Sequence, residues 1–176
     1  MRRARPPETA LVFRARPRFA GLLLWGAVFV GGWGPAGAAE SCRNAELVRV
    51  HDGDTVSLRC DTGLVKLRFA DIDAPEYRQP GGRQAREALV ALLDGCRLVV
   101  ETRATDRYGR RIGDILVGDE KVSLRLVSQG WAWCGPRSAR TCRSRQDAAR
   151  DARRGLWQDA APVPPWRWRE QHPYRP

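Results

Sequence analysis

The stretch from His51 to Glu76 restricts this chain more than any other. It opens with His51-Asp52-Gly53-Asp54-Thr55 and closes with Arg68-Phe69-Ala70-Asp71-Ile72-Asp73-Ala74-Pro75-Glu76. Between these charged ends lie two short β-type runs, Thr55 to Cys60 and Leu64 to Phe69. Asp52-Gly53 and Asp61-Thr62-Gly63 are turn signals. Pro75 cannot donate to a ladder and biases Ala74 towards an extended shape, so the chain leaves the sheet there. Carboxylates this dense beside core-forming residues point to a bound cation, a catalytic site, or two polar turns that are neighbours.

The chain continues in the same short units. Ala45 to Val50 is a strand run ahead of the stretch. After Gln79-Pro80-Gly81-Gly82, residues Arg83 to Leu93 read as a helix, because Ala85, Ala88, Leu89, Leu92 and Leu93 form one apolar stripe. Strands are expected at Arg97 to Thr102 and Ile112 to Val117, separated by the charged turn Asp106 to Arg111. Helices are expected near Val122 to Gln129 and from Ser144 to Gly155, the latter with Ser144 as N-cap and Asp147 three residues on. Leu156 and Trp157 fold back onto the core. Five short strands with about three helices define a mainly β, α+β domain. A small five-stranded Greek-key barrel of the OB type fits, alongside other small α+β folds.

Residues outside this domain read differently. Arg2, Arg3, Arg5, Arg14, Arg16 and Arg18 precede an apolar run from Phe19 to Trp33, followed by a small-residue segment with Ala-x-Ala at Ala36 to Ala38. That is the layout of a secretory signal peptide over residues 1–38. The apolar run is short of the roughly 20 residues a membrane span needs; an uncleaved anchor over residues 19–33 is the alternative. The expected location is therefore secreted or periplasmic, with membrane attachment only if the leader stays on. Removing residues 1–38 takes away six arginines and one glutamate and lowers the net charge from +11 to +6. The remaining excess favours an anionic partner, nucleic acid first. Residues 161–176 form a Pro-, Trp- and Arg-rich tail. Trp166-Arg167-Trp168-Arg169 suits base stacking and phosphate contact, but a loose, Pro-broken tail whose tryptophans lie on the domain is the preferred reading.

All five cysteines follow the leader, and export makes disulfides plausible. Cys134 with Cys142 is the favoured pair, bracketing a Gly-Pro loop; Cys42 and Cys60 flank the first strand pair. One thiol is left over. Zinc is disfavoured, since the chain lacks Cys-x-x-Cys and has two histidines.

The chemistry is carried by a few residues. Asp54 and Asp73 flank a strand pair and can converge at one barrel end, where two carboxylates, a carbonyl and waters suit a hard cation such as Ca²⁺. An EF-hand is excluded, because Val56 and Ser57 stand where the loop needs a polar ligand and glycine. Asp52 and Asp54 as turn-shaping residues are the bland alternative. Arg68 lies in a strand among apolar neighbours and is costly unless paired; a fork onto phosphate or carboxylate satisfies it. Arg110 is a second fork, delivered from a turn. Glu76 can act as general base on a water. A cation, two arginines and a carboxylate base are the parts of phosphodiester hydrolysis.

The ordered motifs Val50-His51-Asp52-Gly53-Asp54-Thr55-Val56, Leu67 to Glu76, Asp106-Arg107-Tyr108-Gly109-Arg110, Ser128-Gln129-Gly130 and Gly155-Leu156-Trp157 resemble the staphylococcal nuclease (thermonuclease) family from about Ala45 to Trp157. The resemblance implies an OB-fold barrel within residues 39–160 and Ca²⁺-dependent cleavage of DNA and RNA at the 5′ P–O bond, leaving 3′-phosphate ends. Asp54 and Asp73 match the calcium carboxylates. Ala74 stands where Thr is common and would supply a backbone carbonyl. Arg68 and Arg110 match the catalytic arginines and Glu76 the proposed base. Arg107 and Tyr108 match the pair near the terminal phosphate. No match is found for the base-stacking tyrosines; Trp131 and Trp133 occupy that region instead. No obligate protein partner is implied, and a monomer is expected. A non-catalytic nucleic-acid-binding module is the competing reading, and retention of the whole charged set favours the enzyme.

Overall fold

A computed structural model describes residues 41–173, all within a compact unit spanning Pro35–Pro176. The expected leader over residues 1–38, the alternative anchor over 19–33 and the last residues of the tail lie outside the described residues. No helix among the described residues is long and apolar enough to cross a membrane.

Three strands are antiparallel neighbours: β1 (Ser41–Val50), β2 (Thr55–Cys60) and β3 (Gly63–Phe69). The chain then passes through a two-residue strand, β4 (Ile72–Asp73), into helix α1 (Gly82–Leu93). It returns as β5 (Leu98–Thr105) and β6 (Arg111–Val117), with a short β7 (Glu120–Lys121) after them. The sheet order is β3-β2-β1-β5-β6-β7, and β3 also pairs with β6, in parallel. That last pairing closes β1, β2, β3, β6 and β5 into a five-stranded barrel, the OB-fold. Closure needs a near approach at Gly113, which pairs with Phe69 and whose carbonyl accepts the Ala70 N–H at 2.6 Å. A side chain at Gly113 would run into the Glu101 backbone behind it.

The barrel interior is filled by alternate strand residues, as period-2 patterning requires. Val56, Leu58, Leu67, Leu98, Val100 and Ile115 are buried, and Leu89 and Leu93 of α1 plug one end. Helix α2 (Val122–Ser128) adds Val122, Leu126 and Val127. Helix α3 (Arg140–Asp151) and a 3-10 turn at Gly155–Gln158 build a second small core, in which Trp133, Ala149, Leu156 and Trp157 are buried together.

Three departures from the sequence reading have physical causes. Strand β1 begins at Ser41, four residues ahead of the alternating run. The extension pairs Ser41 to Ala45 with Glu101 to Leu98 of β5, and Cys42 is tied to Cys60 by a disulfide. Helix α3 begins at Arg140, so Ser144 lies inside it and does not cap it; Ala139 holds the cap position without a side-chain bond. Tertiary anchors override the local signal there. Cys142 in the first turn is disulfide-bonded to Cys134, and the Gln146 side chain accepts the Cys134 N–H at 2.8 Å. A fourth helix, α4 (Pro165–Gln171), forms in the tail, with Pro165 at its start, the position that proline's fixed φ favours. Cys96 is the remaining free thiol.

Candidate active site

Barrel geometry brings the charged residues together. Asp54 immediately precedes β2, and Thr55 pairs with Arg68 across the β2–β3 ladder. The Asp54 carbonyl also accepts the Phe69 N–H at 2.8 Å. Asp54 and Arg68 are thus fixed side by side by backbone bonds. The parallel β3–β6 pairing sets Arg111 opposite Leu67 and Ile112 opposite Arg68. Arg110, the last residue of the turn before β6, therefore arrives at the same barrel rim. Asp73 is held by a separate pairing: β4 joins a two-residue strand, β8 (Trp133–Cys134), with Asp73 opposite Trp133. That small ribbon is absent from the sequence reading, because two-residue strands carry no periodic signal.

The side chains complete a cluster. Arg68 bridges two carboxylates, donating from one terminal nitrogen to Asp54 Oδ1 and from the other to Asp73 Oδ1 at 2.9 Å. Asp54, only 2% exposed, also accepts the Thr55 hydroxyl at 3.0 Å and, on its second oxygen, the Ala74 N–H at 2.9 Å. Burial opposes the charge on Arg68, yet Asp54 and Asp73 outweigh it and hold the guanidinium above its ordinary pKa. The strand cation is therefore paired, as its cost in an apolar setting demands. Asp52 is different. Desolvation, then the neighbouring Asp54 charge, pushes its carboxyl up to about 7. Its Oδ1 accepts the Asp54 N–H at 3.0 Å, so it shapes the turn. Gly53 between them permits a tight fit, since a Cβ there would stand 2.7 Å from Ala74 Cβ and 2.9 Å from Ala85 Cβ.

Arg110 is positioned by Asp106. The Asp106 carboxylate accepts the backbone N–H groups of Tyr108 and Arg110, each at 2.9 Å, and Arg110 Nε at 2.8 Å. Tyr108 is 69% exposed, with the Arg107 guanidinium 4.9 Å and that of Arg110 5.7 Å from its ring centre. One cavity of about 430 Å³ is lined by Asp52, Asp54, Arg68, Ala74, Glu76, Arg107, Tyr108 and Arg110. Asp73 joins the cluster through Arg68. Asp71 stands apart: its carboxylate pairs with Arg103 at 2.7 Å and its backbone adopts φ 64°.

One residue the sequence reading did not place at the site is there. Arg169, from α4, donates to Asp73 Oδ2 at 2.7 Å, to Asp73 Oδ1 at 3.2 Å and to Glu76 Oε1 at 2.9 Å, and it lines the same cavity. The signals available were the Trp/Arg alternation and Pro165, a helix-start residue.

Among the described residues, no three His, Cys, Asp or Glu side chains form a metal-binding group by themselves. The donor chemistry nonetheless fits a hard cation. Asp54 and Asp73 converge closely enough to be spanned by one guanidinium, and Ala74 follows directly with its carbonyl. All three offer oxygen, the ligand type that Ca²⁺ and Mg²⁺ take. Asp73 already pairs with two cationic side chains, Arg68 and Arg169.

Comparison with known proteins gives the family. The staphylococcal nuclease homologue family matches residues 66–159. Protein ParB of Escherichia coli is 37% identical over 139 residues, covering 72% of this chain and 78% of that protein. An uncharacterized endonuclease of Escherichia coli O157:H7 is 37% identical over 131 residues, covering 73% and 86%. A micrococcal nuclease of Shigella flexneri is 33% identical over 138 residues, covering 70% and 79%. With the barrel, the family match over more than half of its length and these relatives in agreement, the chain belongs to the staphylococcal nuclease family.

Proposed function

We propose that this nuclease is a Ca²⁺-dependent endonuclease that hydrolyses DNA and RNA, cuts the 5′ P–O bond and leaves 3′-phosphate ends. The observation that carries the reading is the gathering of Asp54, Arg68, Glu76 and Arg110 around one cavity. Asp54, Asp73 and the Ala74 carbonyl would hold the cation, which supplies charge neutralisation at the scissile phosphate when bound.

The chain's own groups do the rest. Arg68 and Arg110 donate from planar guanidinium groups to phosphate oxygens and stabilise the charge that builds up there. Arg68 is held beside the cavity by its two carboxylates and Arg110 by Asp106; a cation on Asp54 and Asp73 would share them with Arg68 and leave its guanidinium freer to turn to phosphate. Glu76 accepts a proton from the attacking water. Its backbone N–H donates to the Gln79 side chain at 3.2 Å, which steadies the loop after Pro75. The water oxygen bonds to phosphorus as the P–O bond to the 5′ oxygen breaks, and that oxygen takes a proton from solvent. Arg107 and Tyr108, exposed at the cavity mouth, would meet a neighbouring phosphate. The leader pattern supports export, and the basic excess of the remaining chain supports a nucleic-acid substrate.

Digestion of plasmid DNA with and without EGTA is the test. Cleavage is expected to vanish in EGTA and return with added Ca²⁺. Arg110→Ala and Glu76→Ala should each lower the rate by about 10² or more. Undiminished cleavage in EGTA would remove the calcium assignment. A folded wild-type protein that binds DNA without cutting it under any of these conditions would restore the binding-module reading. N-terminal sequencing of exported protein tests the leader.

A further inference from the structure

The tail after Trp157 lies beyond the residues that the family resemblance covers, yet it ends on the catalytic carboxylates. Four contacts dock it. The Val163 carbonyl accepts the Gln79 side-chain amide at 2.6 Å, and Gln79 itself is buried. Pro165 is buried at the start of α4. Trp166 packs edge-on against Trp133, with ring centres 6.5 Å apart. Arg169 then reaches Asp73 and Glu76. Three of the four anchors are uncharged and act on the front of the helix. Only the last depends on the carboxylates.

The position of the guanidinium is specific. One nitrogen of Arg169 lies 3.2 Å from Asp73 Oδ1 and 2.9 Å from Glu76 Oε1, while the other lies 2.7 Å from Asp73 Oδ2. A positive charge thus stands where the proposed metal carboxylate and the proposed base face each other. Asp73 cannot give both oxygens to Arg169 and bind a cation unhindered. Glu76 cannot take a proton from water freely while its carboxylate is engaged by Arg169.

We propose that Arg169 is a further residue of the nuclease site, a tethered cation that competes with the divalent metal for Asp73 and Glu76. This rests on the cation reading given above. The side chain of Arg169 is 45% exposed and that of Glu76 41%, while Asp73 is 13% exposed; water reaches the guanidinium and the Glu76 contact, so exchange is open to Arg169 from that side. A guanidinium is always protonated in a protein, so the competitor stays charged throughout the working range. When metal takes the carboxylates, the uncharged anchors hold α4 in place. Arg169 then remains beside the cavity that Arg68 and Arg110 line, within reach of a substrate phosphate.

Calorimetric titration of CaCl₂ into the full chain tests this without reference to turnover. If Arg169 is docked about nine-tenths of the time, the apparent affinity of wild type is weakened about tenfold. Arg169→Ala is expected to bind Ca²⁺ about tenfold more tightly than wild type. Arg167→Ala, which removes the same charge from an exposed position on the same helix, is expected to stay within about twofold. Equal or weaker binding by Arg169→Ala, or an equal gain in Arg167→Ala, would overturn the competition while leaving the metal site standing. Absence of heat and of any thermal shift with Ca²⁺ in all three proteins would overturn both.

Discussion

Arg68 is the residue whose removal tests both the fold and the chemistry. It is 22% exposed and spans Asp54, 2% exposed, and Asp73, 13% exposed. Deleting one partner of a buried ion pair typically costs about 3–5 kcal/mol, because the other charge is left uncompensated. Two features soften that here. Asp54 keeps the Thr55 hydroxyl and the Ala74 amide, and Asp73 keeps Arg169. Arg68→Ala is therefore expected to lose about 2–3 kcal/mol, a fall in Tm of roughly 10 °C for a domain of this size. Arg68→Lys separates the two roles. A single ammonium keeps the charge but cannot donate along two parallel directions, so stability should fall by only about 1 kcal/mol. Hydrolysis should still drop by about 10² or more, because the proposed phosphate fork is gone. Urea unfolding and plasmid digestion on the same preparations give both readings. Arg68→Lys with wild-type turnover, or Arg68→Ala melting within about 2 °C of wild type, would refute the bridging account.

Two further predictions concern a close approach at the site and a buried carboxylate behind the barrel. Gly53→Ala places a Cβ against Ala74 and Ala85; about 1–3 kcal/mol should be lost by overpacking, and an unchanged melting curve would contradict the tight approach. Asp114 is buried, and desolvation raises its carboxyl pKa against the bonds it receives from the Ser123 hydroxyl and the amides of Ser123 and Ile115. A raised folded pKa means that this residue favours the folded state most below the unfolded value near 3.9, and that this contribution is lost as pH rises towards the folded value. Ser123→Ala removes a donor and raises the pKa further. The expected loss is about 1–2 kcal/mol at pH 7 and less at pH 4, read from urea unfolding at both values; equal losses would contradict it.

The barrel was readable because each of its strands declares itself within a few residues. Thr55 to Cys60 and Leu64 to Phe69 are apolar runs bounded by turn residues, and the ladder places them residue for residue. Arg68 stood out for a related reason: a cation inside such a run requires a partner. What the local pattern could not carry was pairing across distance. The β4–β8 ribbon that fixes Asp73 joins Ile72 to Cys134, and its strands are too short for any periodicity. The start of α3 is not marked locally because a disulfide in its first turn and a glutamine side chain in its second, not a cap, tie it to Cys134.

The tail shows the same limit at the site itself. Helix α4 has seven residues, too few to form alone in water and too few to display an apolar stripe. Its order comes from Gln79, Trp133, Asp73 and Glu76, which lie up to 96 positions away. Read locally, Trp-Arg-Trp-Arg looks like a surface for nucleic acid. Once docked, Trp166 meets Trp133 edge-on while still 43% exposed, and Arg169 reaches the carboxylates. The rim residues Asp54, Arg68 and Arg110 are held by ladder pairing or by a turn that feeds it, so disturbing them disturbs the barrel. Arg169, itself half-exposed, is held by ion pairs to Asp73 and Glu76 on a helix whose start is anchored elsewhere. It is therefore the one cation of the cluster that can leave its carboxylates without cost to the barrel, as a competitor of a metal ion must.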